Sequence, residues 1–362
     1  MTEPSNYLTH EITGIGGSIK NRDSDFIVEE LPLYEPSGEG EHLYLFVEKR
    51  GMPAGDLVGV IASHFGVRRS AVGMAGKKDT AAVTRQLVSV HLPGVSEDGF
   101  GMLRDERVGI LWVDRHGNKL RMGHLAGNRF NIRIRDVGMQ DVLSAHRVLG
   151  RLQNEGVPNA FGPQRFGAKG TNARRGIEML RRGKPSGSPG TARQLLNAVQ
   201  SAVFNRVLDD RLKRVALGSL EEGDLAWVHG SGAVFEVGAE ELAADGTGAR
   251  LASLEISPSG PMWGAAMTRA SAAVDAAETD ALERVGVTAP ELEQPAFRKL
   301  LPGARRPLRV PVAEWDVEGG IDEHGSYVRV AFDLPPGAYA TSVLREIMKP
   351  LELASEPEPR DG

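Results

Sequence analysis

The sequence predicts an α+β protein with more than one domain. Three observations carry that reading: short β-like runs separated by turns near both ends, helical patterns spaced between them, and a change of charge sign along the chain. The 362 residues suffice for two domains of ordinary size. Hydrophobic residues make up 41% and charged residues 25%, the balance of a globular chain rather than a disordered one. The absence of cysteine excludes disulfides, thiolate nucleophiles and cysteine-ligated metals. The nine histidines include no His-x-x-His or His-x-x-x-His pair, so neither a metal nor a metal cofactor is expected. No apolar run approaches the roughly 20 residues of a membrane-spanning helix. The segment Met1-Thr2-Glu3-Pro4-Ser5 has no basic stretch leading into an apolar one, so no secretory signal is expected. A cytoplasmic monomer without cofactors is the expectation.

Taken in order, Phe26-Ile27-Val28 and Leu43-Tyr44-Leu45-Phe46-Val47 read as strands around a turn at Ser37-Gly38-Glu39-Gly40. A helix is predicted from Ala54 to Phe65, with Leu57, Val60, Ile61 and Phe65 at helical spacing. Strand-like runs 71–75 and 86–92 follow, joined by a polar connection that holds Asp79. Residues 128–137 read as a strand, with Phe130, Ile132 and Ile134 on one face and Arg129, Asn131, Arg133 and Arg135 on the other. Next come a helix from Val142 to Asn154, a glycine-rich aromatic piece from Gly156 to Gly167, and a surface loop from Arg181 to Gly190. A long helix from Ala192 to Arg214 is predicted, with Leu196, Val199, Val203 and Val207 on its buried stripe. Runs 308–317 and 327–334 read as a hairpin, followed by a helix from Thr341 to Met348. The tail 351–362 is expected to be disordered.

The net charge of −5 hides a strong asymmetry. Residues 111–220 carry 20 Lys+Arg against 7 Asp+Glu, while both flanks are acidic. Phosphates respond to the local field rather than to the total, so this segment points to a polyanionic partner, though a solvated arginine-rich surface would look the same.

Gly76-Lys77-Lys78 superficially suggests a phosphate-binding P-loop, which needs G-x-x-x-x-G-K-[ST]. Ala71 occupies the first glycine position, Lys78 replaces the Ser or Thr, and Asp79 would repel a phosphate. Alone, Asp79 reads as a turn aspartate.

Its surroundings change that reading. The stretch Ala75-Gly76-Lys77-Lys78-Asp79-Thr80-Ala81-Ala82-Val83-Thr84-Arg85-Gln86 resembles the signature around the catalytic aspartate of the TruD family of tRNA pseudouridine synthases. Four further segments resemble that family's blocks in the same order. They are Lys20 with Asp25 to Glu30 and Ser37 to Leu43; Gly127-Asn128-Arg129-Phe130; Gly156 to Gly167; and Gly337 to Glu346. Together they span residues 20–347.

The resemblance implies a pseudouridine-synthase catalytic domain built from residues 1–155 and 306–350 around a mixed, mainly antiparallel sheet. A family-specific α/β domain, 156–305, would be inserted in it, with RNA gripped between the two. It implies Asp79 as the catalytic carboxylate, as nucleophile or base, and Lys20 as the partner that keeps it ionised. It further implies that Phe26, Asn128, Phe130 and Tyr339 contact the substrate, which would be a uridine, number 13 in the D-arm of tRNA. Periodicity equally allows Phe130 a core position. Gln164 and Arg165, polar and cationic in a glycine-rich loop, suit RNA or a site wall, or a structural bridge between domains. Met52-Pro53 stands where the family often has Asn-Thr, which removes one polar contact. The chemistry is coherent: the uracil breaks from C1′, turns and rejoins through C5, so no water needs activating and one carboxylate suffices. A non-catalytic RNA-binding protein and an RNA-acting hydrolase are the rival classes; the second would need another acid or a metal.

Overall fold

The computed structural model describes residues 7–95, 101–214 and 217–349. The expected disorder of 351–362 lies outside the described residues. Contacts divide the chain into two compact units. The sheet unit comprises Gly14–His146, Val312–Gly337 and residues 348–349; the helical unit comprises residues 7–13, Arg147–Pro311 and Ala338–Ile347. The divisions fall at 146/147 and 311/312, where the sequence suggested 155 and 306, and the last helix groups with the helical unit.

Among its described residues the sheet unit holds an eight-stranded sheet. Its strands are β1 (Phe26–Pro32), β2 (His42–Arg50), β3 (Val72–Met74), β4 (Val83–His91), β5 (Val108–His116), β6 (Leu125–Arg135) and, from the end of the chain, β13 (Ala313–Asp322) and β14 (Gly325–Leu334). The order is β13-β14-β6-β1-β4-β2-β5, with β3 also on β4. Only β1 and β4 pair in parallel; the other pairs are antiparallel. The α+β class and the mixed, mainly antiparallel sheet are therefore as the sequence implied.

Helix α1 (Ala54–His64) buries Leu57 and Ile61 against Leu43, Leu45 and Val47, the residues of β2 that alternation puts on one face. Each such apolar side chain contributes about 1.5–3 kcal/mol when fully buried. The same alternation carries Lys49 onto that inward face, where it is fully buried. Register then sets one row across five strands: Lys49, Thr84, Val28, Phe130 and Phe332. Gly127 lets β6 and β14 close up, because a Cβ there would lie 2.5 Å from the carbonyl oxygen of Leu334.

Arg135, on the face of β6 opposite Phe130, is 3% exposed and forms a fork with Asp25, while also reaching Asp322. A buried guanidinium is tolerated only with such complete pairing. The run 308–317 is not one strand. It splits at Pro311, which has no N–H to continue a ladder, into β12 (Arg309–Val310) of the helical unit and β13 of the sheet unit.

The helical unit contains α2 (Asp141–Glu155) from Arg147 on, β7 (Val157–Pro158), α3 (Asn172–Arg181), α4 (Pro189–Arg214), β8 (Leu225–Val228), β9 (Val234–Glu236), α5 (Ala239–Ala243), α6 (Asp245–Ala252), β10 (Ile256–Met262), α7 (Ala272–Val285), α8 (Ala289–Leu292), β11 (Ala304–Pro307), and α9 (Ala340–Met348) up to Ile347. Leu196, Val199 and Val203 of α4 pack with Trp263 and Leu282 in its core, as the predicted stripe requires. The sheet order is β11-β10-β8-β9, and β7 pairs with β12. Glu346 of α9 accepts hydrogen bonds from the backbone of Leu8 and Thr9 and from the Thr9 hydroxyl, which ties the start of the chain to this unit.

Candidate active site

Asp79 lies in the connection 75–82 between β3 and β4. β4 pairs with β1 through residues 83–85 and with β3 through 88–90, so the two strands share one edge of it. The Leu87 N–H falls in the gap between them and donates to the Glu30 carboxylate at 3.3 Å. A loop anchored in this way presents an exposed side chain from a rigid support.

The Asp79 carboxylate accepts a hydrogen bond from Lys20 Nζ at 3.0 Å, and 31% and 33% of the Lys20 and Asp79 side chains remain exposed. Lys20 has φ +60°, a left-handed conformation that costs a non-glycine residue about 1–2 kcal/mol. It is held there by the reciprocal backbone pairing of Ser18 with Arg135 just upstream, at 2.9 and 2.8 Å. The Lys20 ammonium also sits 4.3 Å from the centre of the Phe26 ring, a cation–π contact. Phe26 meets Phe130 edge-on at 6.5 Å between centroids, and Phe130 leans on Phe332 at 5.5 Å. Carboxylate, lysine and three aromatic rings thus form one connected set.

Two more lysines hold this loop from below, and neither was singled out in the sequence. Lys49 donates to the carbonyl oxygens of Asp79 and Met52, both at 2.8 Å. Burial pushes its ammonium below the usual lysine range, while the carboxylates of Asp79 and Asp23 pull it back up. Lys78 donates to Glu30 at 2.6 Å in a pair closed to solvent. Burial pushes the Glu30 carboxyl up, against the pull of Lys78.

Asn128 shares a sheet row with Glu30 and Leu334 and is half-buried. Its Oδ1 is buried and accepts no hydrogen bond among the described residues, so it can still receive an N–H donor. Phe130, at 7% exposure, occupies a core position, as the parity of β6 allowed, and Phe26 is buried as well. Met52, at the position where a polar contact was lacking, is fully buried in the α1 core.

Tyr339, Arg165 and Gln164 belong to the helical unit. There Arg165 donates to the Tyr339 hydroxyl at 3.1 Å and its guanidinium lies 4.8 Å from the Phe161 ring centre. Arg306, missed in the sequence, lies 4.3 Å from the same ring. Burial brings its guanidinium down to about 10. Gln164 is exposed on the 3₁₀ turn Pro163–Phe166. Beside this cluster a pocket of about 670 Å³ is lined by Phe161, Phe166, Asn205, Thr341 and Arg345. Among the described residues no cluster of three or more His, Asp or Glu is arranged to hold a metal, and no helix is long and apolar enough to cross a membrane. An ionised carboxylate beside an aromatic surface can act on a sugar carbon as nucleophile or base.

The model of the family described as tRNA pseudouridine synthase D (TruD) matches residues 4–185 and 190–347. Among curated proteins, the tRNA pseudouridine synthase D of Thermus thermophilus is 42% identical over 363 residues, covering 98% of this chain and 96% of that protein. Its counterpart in Geobacter metallireducens is 36% identical over 412 residues, covering 96% and 99%. Among solved structures, a TruD protein from Methanosarcina mazei superposes with a TM-score of 0.75 at 23% identity, over 95% of both chains, a likeness of fold. The chain belongs to the TruD family of tRNA pseudouridine synthases.

Proposed function

We propose that this protein isomerises a uridine of tRNA, uridine 13 in the D-arm, to pseudouridine, with Asp79 as its catalytic carboxylate. Family membership supports the reaction class; position 13 is what the resemblance of the sequence blocks implies. The observation that carries the residue assignment is the half-open ion pair between Asp79 and Lys20, which continues through a cation–π contact into the rings of Phe26 and Phe130.

In this reading the uridine leaves its stack, at a cost of a few kcal/mol, and its base lies beside the Asp79–Lys20 pair, above the buried rings of Phe26 and Phe332. Phe130 and the open acceptor of Asn128 contact the base. Asp79, oriented by its pair with Lys20, acts at the sugar as the N1–C1′ bond breaks. The uracil turns, C5 bonds to C1′, the C5 proton is released and N1 takes one up. Tyr339, Arg165 and Gln164 contribute further RNA contacts from the helical unit. A tRNA substrate places this work in the cytoplasm.

Pseudouridine mapping of tRNA from cells lacking the protein tests the proposal. The expected result is loss of the modification at position 13, regained with the wild-type gene and not with Asp79→Asn. A modification that persists in the deleted cells, or that Asp79→Asn regains, contradicts it.

A further inference from the structure

Lysine is rarely fully buried without a carboxylate in contact, because the charged form loses its hydration. Lys49 is such a case: no side-chain surface is exposed, and its ammonium donates to two neutral carbonyl oxygens, of Met52 and Asp79, at 2.8 Å each. The Met52 bond would satisfy a purely structural lysine at the end of β2. The second bond spans 30 residues to the one backbone carbonyl that belongs to Asp79 itself. The charged groups facing Lys49 are Asp79, Asp23 from the turn before β1, and Lys78 from the same loop as Asp79. An apolar side chain of similar length would fit the surrounding face of Val47, Leu57 and Met52 without this desolvation.

We infer that Lys49 is a positioning residue for Asp79. Its ammonium group pins the Asp79 backbone through the carbonyl oxygen and adds a second positive charge near the carboxylate, one that solvent cannot screen. Lys20 and Lys49 divide the work. Lys20 touches the carboxylate and is itself open to water, whereas Lys49 is shielded and orients the residue from the main chain. This role rests on Asp79 being the working carboxylate, but the effect on the carboxylate does not depend on activity.

The test uses the full chain with Lys49→Met and Lys49→Gln. The Asp79 carboxyl is titrated by carbon-13 NMR and assigned by its absence in Asp79→Asn. Its midpoint is expected to rise in both variants, because a nearby cation is lost. In single-turnover assays Lys49→Met is expected to form pseudouridine about 10–100-fold more slowly, the scale of misplacing a catalytic group by about 1 Å. Its tRNA affinity should stay within about threefold, and the acid limb of the rate profile should move upward with the carboxyl. Lys49→Gln, which keeps an N–H for the carbonyl, should recover part of the rate but none of the titration shift. An unmoved carboxyl titration in both variants overturns the inference, as does failure of both to fold, which would make Lys49 a structural residue. A shifted titration in a wild-type background that forms no pseudouridine would instead refute the proposed function and leave this role standing.

Discussion

Lys78 and Asp79 are neighbours in one loop, and each is half of an ion pair. Lys78 meets Glu30 at 2.6 Å with 5% and 1% of the side chains exposed; Asp79 meets Lys20 at 3.0 Å with about a third of each exposed. The buried pair is fully committed: Glu30 also accepts the Leu87 N–H, and burial alone pushes its carboxyl up. Such a pair adds little net stability over an apolar replacement, yet losing one partner strands a charge in the interior. The open pair gains little energy from its Coulomb term in water, but its carboxylate stays accessible to a substrate. Under the proposed function one residue of the loop is an anchor and the next a reagent, whose chemistry depends on the anchor not moving.

Substitutions separate the two roles, and the largest effect belongs to the reagent. Asp79→Asn is expected to lower single-turnover pseudouridine formation by about 10⁴-fold or more, the scale of losing a principal catalytic group. Its thermal midpoint should stay within a few degrees of wild type. Glu30→Ala should do the reverse and cost about 3–5 kcal/mol in urea unfolding, because Lys78 is left buried and unpaired. The double change Glu30→Leu with Lys78→Met should restore most of that stability. Equal losses in the single and double variants would show that the pair is not the anchor.

Lys20→Met is expected to slow the reaction by about 10–100-fold, because the hydrogen bond that orients the Asp79 carboxylate is lost. Stability should change by less than about 1 kcal/mol, the usual worth of an exposed pair. The smallest effect concerns the pH dependence of Lys49. Its folded-state value lies below the ordinary 10.5, so between the two the unfolded chain holds the proton more tightly than the native one. Wild-type stability therefore gains a contribution as pH rises through that window. Lys49→Met should be at least as stable as wild type at pH 7, with its advantage shrinking as pH approaches 10.5. Parallel stability curves for the two proteins would contradict that.

Asp79, Lys20, Phe26, Asn128 and Phe130 could be proposed from the sequence because each lies in or beside a short block that resembles the family's. The helix from Ala54 and the stripe of α4 were legible because periodicity is local. What escaped depends on register or on long-range pairing. Phe332 reaches Phe130 only through the β6–β14 alignment, and Glu30 reaches Lys78 across 48 residues. The burial of Arg135 was not legible, because alternation cannot anticipate that Asp25 and Asp322 converge on it. Lys49 did leave a trace: it continues the inward parity of Leu43, Leu45 and Val47, and a lysine in that series implies a buried partner. Arg306 left none, since its contact with Phe161 joins segments 145 positions apart in the chain.

The most direct test of the account follows from the bond that changes. Forming the C5–C1′ bond expels the C5 hydrogen, so tRNA carrying tritium at C5 of uridine releases it to water as pseudouridine forms. With excess protein, the wild type is expected to release the label of one uridine per tRNA, with no free uracil, and Asp79→Asn to release none. Release by Asp79→Asn at the wild-type rate, or free uracil from the wild type, would contradict the account.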